Sequence, residues 1–201
     1  MKTLAMNKKF EELIFVDHKY VVLIGGIGSG KSYAMVQLLG TECISGTNKR
    51  IFIVGESIPS IKSNYYYIFE DVFGNFGYGY TLNKSKMCVD FHKGSRISFG
   101  TIDKASGNYD AIWVDNTDNF TEDEIDGLSK RLKGGGQLFL SFNPPPKVKD
   151  DDGLYVDHWL EKRFKNNTDK DTFIHHSTYK DNRFISDDFI SLINEYEKQN
   201  I

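Results

Sequence analysis

A chain of 201 residues with 39% hydrophobic and 26% charged residues fits one soluble α/β domain with a full core. Its net charge of −3 gives no overall nucleic-acid signal, no apolar run approaches the roughly 18 residues of a membrane span, and no signal peptide is visible. Cys43 and Cys88 match no metal or redox spacing, so a reducing cytosol is expected.

Residues 1–19 are polar and mixed, with Phe10, Leu13 and Ile14 spaced for a short amphipathic helix. Residues 21–24 form a continuous apolar run, the pattern of a buried strand. In residues 31–39, Ala34, Met35, Leu38 and Leu39 recur at helical spacing. Arg50 to Val54 reads as a second buried strand. Residues 58–73 read as a helix with Ile61, Tyr65, Ile68, Phe69 and Val72 on one face, and Pro59 suits its first turn. Residues 74–81 are glycine-rich and predict a loop. Residues 87–91 and 96–99 alternate, and His92-Lys93-Gly94-Ser95 between them reads as a hairpin turn. Residues 111–114 are another apolar strand, ending in Asp115. Thr121 and Glu124 form a capping box for a helix running to about Leu132, where Lys133-Gly134-Gly135-Gly136 ends it. Residues 137–142 are a strand that stops at Asn143 and three prolines, and residues 147–153 are a charged loop. A short helix around Trp159, a strand over residues 172–177 and a last helix from about Ser186 follow. That last helix carries Phe189, Ile190, Leu192, Ile193 and Tyr196. The clusters Lys8-Lys9, Lys49-Arg50, Lys84 with Lys86, and Lys162-Arg163 with Lys165 read as solvated faces. Strands alternate with helices, so the expected fold class is α/β. A mostly parallel central sheet is flanked by helices, with an added antiparallel hairpin over residues 87–99.

The most informative stretch is Gly25-Gly26-Ile27-Gly28-Ser29-Gly30-Lys31-Ser32, which completes the pattern G-x-x-x-x-G-K-[ST] between a strand and a helix. Glycines let backbone N–H groups turn around an anion, and the helix start adds its positive dipole end. A lysine at a helix start opposes that dipole unless an anion is present. Residues 25–33, through Tyr33, are therefore the candidate nucleotide-binding segment of a P-loop NTPase fold. Lys31 would reach the β- and γ-phosphates, and Ser32 would hold Mg²⁺. Asp115 supplies the second anchor, a carboxylate at the end of a neighbouring strand. ATPases of this design often place a Glu next, as the base that polarises water. Here that position is Asn116, which orients a water but cannot take its proton. Asp118 is the nearest carboxylate. Asn143, at the end of the next central strand, can reach the γ-phosphate or the attacking water and so report hydrolysis.

Other P-loop groups fit less well. Asn83-Lys84-Ser85-Lys86 lacks the final Asp of a guanine-reading N-K-x-D motif. Leu132-Lys133-Gly134-Gly135-Gly136-Gln137 is in the wrong order for a transporter ATPase signature, since it follows Asp115. Five arginines (Arg50, Arg96, Arg131, Arg163, Arg183) are too few for a small-molecule kinase lid.

Four pieces together resemble the ATPase domain of the phage terminase large subunit, the DNA-packaging motor. They are residues 24–33, residues 111–115, residues 140–144 followed by His158-Trp159 and Phe164, and residues 176–184. The resemblance spans roughly residues 15–198. It implies a single ATPase domain over residues 1–201, with a P-loop core to about residue 178, a linker beginning at 179, and no nuclease domain. It also implies ATP and Mg²⁺ as cofactors and double-stranded DNA, a portal and a small terminase subunit as partners. A homo-oligomeric ring would be the active form, with a monomer as the alternative in isolation. The place is the host cytoplasm, at the procapsid portal, with no membrane. An arginine supplied in trans by a ring neighbour is implied as well, with Arg131 the candidate and Arg96 and Arg163 the alternatives. The chain departs from the family at Ile27, where Arg is usual, and at Asn116, where Glu is usual. Two main readings follow: an ATP-hydrolysing motor, or a nucleotide-binding switch or assembly subunit with negligible hydrolysis. A third, a P-loop helicase or DNA translocase outside viruses, shares the chemistry but gives no reason for the Tyr179–Phe184 segment.

Overall fold

The computed structural model describes residues 5–74, 79–145, 147–149, 155–164 and 169–199. Residues 75–78 of the expected glycine-rich loop, Pro146, most of the charged loop after it and the side chain of Tyr196 lie outside the described residues.

In chain order the elements are β1 (Tyr20–Gly25), α1 (Lys31–Ser45), β2 (Arg50–Val54), α2 (Ile58–Phe73), β3 (Tyr80–Asn83), β4 (Cys88–Phe91) and β5 (Arg96–Gly100). Then come β6 (Tyr109–Asp115), α3 (Glu122–Ser129), β7 (Leu132–Phe142), β8 (Val148–Lys149), β9 (Tyr155–Val156), α4 (Trp159–Phe164), β10 (Thr172–Ser177) and α5 (Asp187–Gln199). Eight strands form one sheet in the order β10-β1-β7-β6-β2-β5-β4-β3, and β8 pairs with β9 separately. The six strands from β10 to β5 are parallel, and β4 and β3 extend the sheet at one edge through antiparallel pairings.

Period-two alternation sorts the core into two layers. Val21, Leu23, Ile51, Ile53, Ala111, Trp113 and Phe139 face α1 and α2. Val22, Phe52, Val54, Ile112, Val114, Leu138 and Leu140 face α3 and α4. Each central strand is buried on both faces, which is why it reads as an unbroken apolar run.

Four expectations change. The hairpin over residues 87–99 is only half an addition, because β5 is parallel to β2 and the antiparallel extension is β4 with β3. Strand β3 begins inside the stretch expected to be loop. Among the described residues it pairs only with β4, so four residues at an edge after glycine carry little signal. The helix expected to reach Leu132 ends at Ser129, and the glycine run belongs to β7. Tyr109 pairs with Leu132 and Ala111 with Gln137, so residues 133–136 bulge opposite the single Asp110. Near the N-terminus, residues 8–15 form a 3₁₀ helix that buries Phe10 and Leu13, while Ile14 and Phe15 remain exposed. The capping box at Thr121 and Glu124 forms as expected.

Candidate active site

β1 ends at Gly25, and the chain turns through residues 26–30 into α1. Gly28 and Gly30 have φ of 78° and 91°, a region glycine enters without steric penalty. Gly25 is required for another reason: a Cβ there would lie 2.3 Å from the Ser177 carbonyl oxygen on β10. Ser57 and Thr121 hydroxyls cap α2 and α3, but no side chain caps α1. The first-turn N–H groups of α1 therefore face the loop without a side-chain acceptor, as an anion site requires.

Lys31 is buried with its ammonium over this turn. It donates to the Gly25 carbonyl, and to the Gly26 carbonyl, Ser29 Oγ and Asn143 Oδ1 at 3.2, 3.3 and 3.2 Å. Burial pushes its pKa below the usual lysine value, and the carboxylates of Asp115 and Asp118 offset part of that. A phosphate placed here would favour the charged form again.

Parallel register brings the other groups to the same edge. β1, β7 and β6 are neighbours, and Asp115 lies opposite Ser141. Asp115 is nearly buried and accepts three hydroxyl bonds: Ser141 at 2.6 Å on Oδ1, and Ser32 and Tyr65 at 3.3 and 3.1 Å on Oδ2. Ser32 and Asp115 thus meet, and together they could hold a metal ion. Two protein oxygens suit Mg²⁺, which keeps waters and takes one or two carboxylates with substrate phosphates. Among the described residues no group of three or more His, Cys, Asp or Glu could form a closed cage.

Residues 26–33, Asn64, Ile68, Asp115, Asn116, Asn143 and Asn182 line one cavity of about 420 Å³. Ile27 is exposed at the tip of the loop, and Tyr33 donates its hydroxyl to Asp71 at 3.1 Å. Asn116 sits in the left-handed region, φ 50° and ψ 51°, and opens a 3₁₀ turn over residues 117–119. Arg131 does not join these groups within the chain. It lies at the opposite end of β7, about 20 Å from Asp115 by strand rise along β6. Arg96 opens β5 at that same far end and pairs with Asp90. Arg163 pairs with Glu122 and Asp126.

A family model described as phage terminase large subunit matches residues 17–201. The chain belongs to that family. The PBSX phage terminase large subunit of Bacillus subtilis (strain 168) is 24% identical over 213 residues, which cover 92% of this chain and 47% of that protein. A large terminase from a thermophilic bacteriophage matches the fold with a TM-score of 0.74 at 15% identity, covering 92% of this chain and 48% of that one. The Thermus phage P74-26 large terminase ATPase domain gives 0.59 at 14% identity, covering 92% and 82%. This terminase chain therefore spans about half the length of the PBSX protein and of the thermophilic-phage terminase, and its fold is of the P-loop type.

Two contacts in the terminase site have no counterpart in the sequence reading. Tyr65 reads as a core residue on an apolar helix face, yet its hydroxyl reaches Asp115. Asn182, in the segment after β10, donates from Nδ2 to the Gly28 carbonyl at 2.8 Å. A Cβ on Gly28 would meet Phe189 and Ile185 at 2.6 and 3.0 Å, so this segment and α5 lie directly on the loop.

Proposed function

We propose that this chain binds Mg·ATP over residues 25–32 and hydrolyses it as the motor domain that drives double-stranded DNA into a procapsid. The observation that carries the reading is the convergence of Lys31, Ser32, Asp115 and Asn143 in one cavity at the carboxyl edge of adjacent parallel strands. The phosphates occupy the loop. The adjoining cavity of about 490 Å³, which shares Gly30, Tyr33 and Asn182, has room for the base and sugar. Ser32 and Asp115 would hold Mg²⁺, which would neutralise phosphate charge. Lys31 exchanges backbone carbonyls for phosphate oxygens, and this frees Asn143 to contact the γ-phosphate or the attacking water. Family membership supports the partners: DNA held through phosphates, a portal, a small terminase subunit, and a ring of copies in the host cytoplasm. In such a ring Arg131 serves only a neighbour's site, since it is remote from its own. The segment from residue 179 serves as the start of a linker, and its Asn182, Ile185 and Phe189 rest on the loop.

The test is ATP turnover by the purified chain and by Lys31→Ala. The variant should lose essentially all activity, because removing the lysine takes away charge stabilisation on the transferring group. Equal turnover by the two proteins would remove residues 25–32 as the active site. A second reading, a nucleotide switch with negligible hydrolysis, is favoured by one observation: an amide stands at Asn116 where a base is needed.

A further inference from the structure

We propose that Tyr65 is a positioning residue for the metal-holding carboxylate. Its hydroxyl, together with a Trp113–Ser141 pair, fixes Asp115 in the orientation that receives Mg²⁺. The inference rests on the Mg·ATP reading above.

Hydrogen-bond chemistry fixes the direction of every proton in this cluster. An indole N–H only donates. Trp113 Nε1 gives its proton to Ser141 Oγ at 2.8 Å, so the serine's own proton goes to Asp115 Oδ1 at 2.6 Å. An ionised carboxylate only accepts, so Tyr65 donates to Oδ2. Both oxygens are thereby held, which sets the plane of the carboxylate. Tyr65 is itself immobile. It is 2% exposed, its ring packs edge-on to Trp113 with centroids 5.3 Å apart, and it stacks on Phe99 at 6.2 Å. A phenol, with an ordinary pKa of about 10, carries its proton at neutral pH and so can donate it.

The choice of donors matters as much as the geometry. An arginine would orient Asp115 equally well but would neutralise the charge that a cation needs. Here all three donors are neutral hydroxyls. Ser32, the weakest of them at 3.3 Å, is the one the metal would claim. Without Tyr65, Ser141 would be the only donor among the described residues left to hold the carboxylate.

The experiment measures the affinity of a fluorescent N-methylanthraniloyl ATPγS with Mg²⁺ and with EDTA, in wild type, Tyr65→Phe, Asp115→Asn and the double variant. The ratio of the two dissociation constants isolates the metal-dependent gain. Partners behind a metal ligand are typically worth about 10–100-fold in metal affinity or activity. Tyr65→Phe should lower the ratio about tenfold and leave the EDTA affinity unchanged. In the Asp115→Asn background the same substitution should change nothing further. Ser141→Ala, a second variant on the other oxygen, should lower the ratio in the same sense. Equal loss with and without Mg²⁺, or full additivity with Asp115→Asn, would make Tyr65 a core residue only and overturn the proposal. Failure of wild type to bind the probe under either condition would instead remove the nucleotide reading, and this inference with it.

Discussion

Asn116 carries the chemical question of this site in its backbone as much as in its side chain. At φ 50° and ψ 51° it occupies a conformation that asparagine enters readily and most other residues enter at about 1–2 kcal/mol. A glutamate there would supply a base but would sit in a strained turn. General-base help is worth about 10²–10⁴ in rate, so Asn116→Glu should raise single-turnover ATP hydrolysis at least about tenfold while lowering the melting temperature slightly. No gain in turnover would leave Asp118, whose charge already reaches Lys31, as the working carboxylate. Much of this chemistry is legible in the sequence because it requires fixed spacings. Trp113 and Asp115, or Ser141 and Asn143, are two apart and so share a sheet face with α1 and α2. Tyr65 is not legible, because a tyrosine at helical spacing among Ile61, Ile68 and Phe69 has every mark of core. Its target is 50 residues away and is brought near only by the packing of α2 on the sheet.

At the scale of elements, α1 and α2 must lie close together for Ser32 and Tyr65 to meet on one carboxylate. Gly40 permits that approach: a Cβ there would lie 2.3 Å from Phe73 Cζ. Two effects compete in Gly40→Ala. Alanine gains about 1 kcal/mol of helix propensity, whereas overpacking a filled core costs about 1–3 kcal/mol. The contact is buried, so the loss should prevail. A fall of about 2–4 °C in melting temperature is expected for each kcal/mol in a chain of this size. Trimming the opposing ring by Phe73→Leu should recover part of that fall, which thermal denaturation of single and double variants would check. The central strands are readable because burial on both faces leaves unbroken apolar runs. β3 and the start of β7 are not: one is a short edge strand and the other begins in glycine, where propensity argues for a turn and pairing with β6 decides otherwise.

Across the whole molecule, the N-terminal segment is joined to the segment that follows β10. Asn7 Nδ2 donates to the Asp181 carbonyl at 2.8 Å, and Arg183 Nη2 donates to the Met6 carbonyl at 3.1 Å. Phe10 packs on the His175 ring at 4.7 Å, and His175 Nδ1 lies 2.6 Å from Glu12. Burial lowers the His175 pKa despite the partial compensation from Glu12. The unfolded chain therefore binds the proton more readily, so stability falls as pH drops through the ordinary histidine range near 6.5 and levels off below the folded value. Melting temperatures measured from about pH 7.5 to 5.5, a window that brackets the ordinary histidine value, should decline, and His175→Gln should flatten that decline. A slope unchanged by the substitution would assign it to other groups.

The bulge at residues 133–136 gives β7 two ends of different character. Gly134 and Gly135 border open space, and a residue gained or lost there would be absorbed opposite Asp110. The same change beyond Gln137 would turn every later side chain to the other face and carry Ser141 and Asn143 away from Asp115 and Lys31. The strand keeps its slack at one end and its polar cluster at the other, so variation in length can accumulate without reaching the groups proposed to handle phosphate.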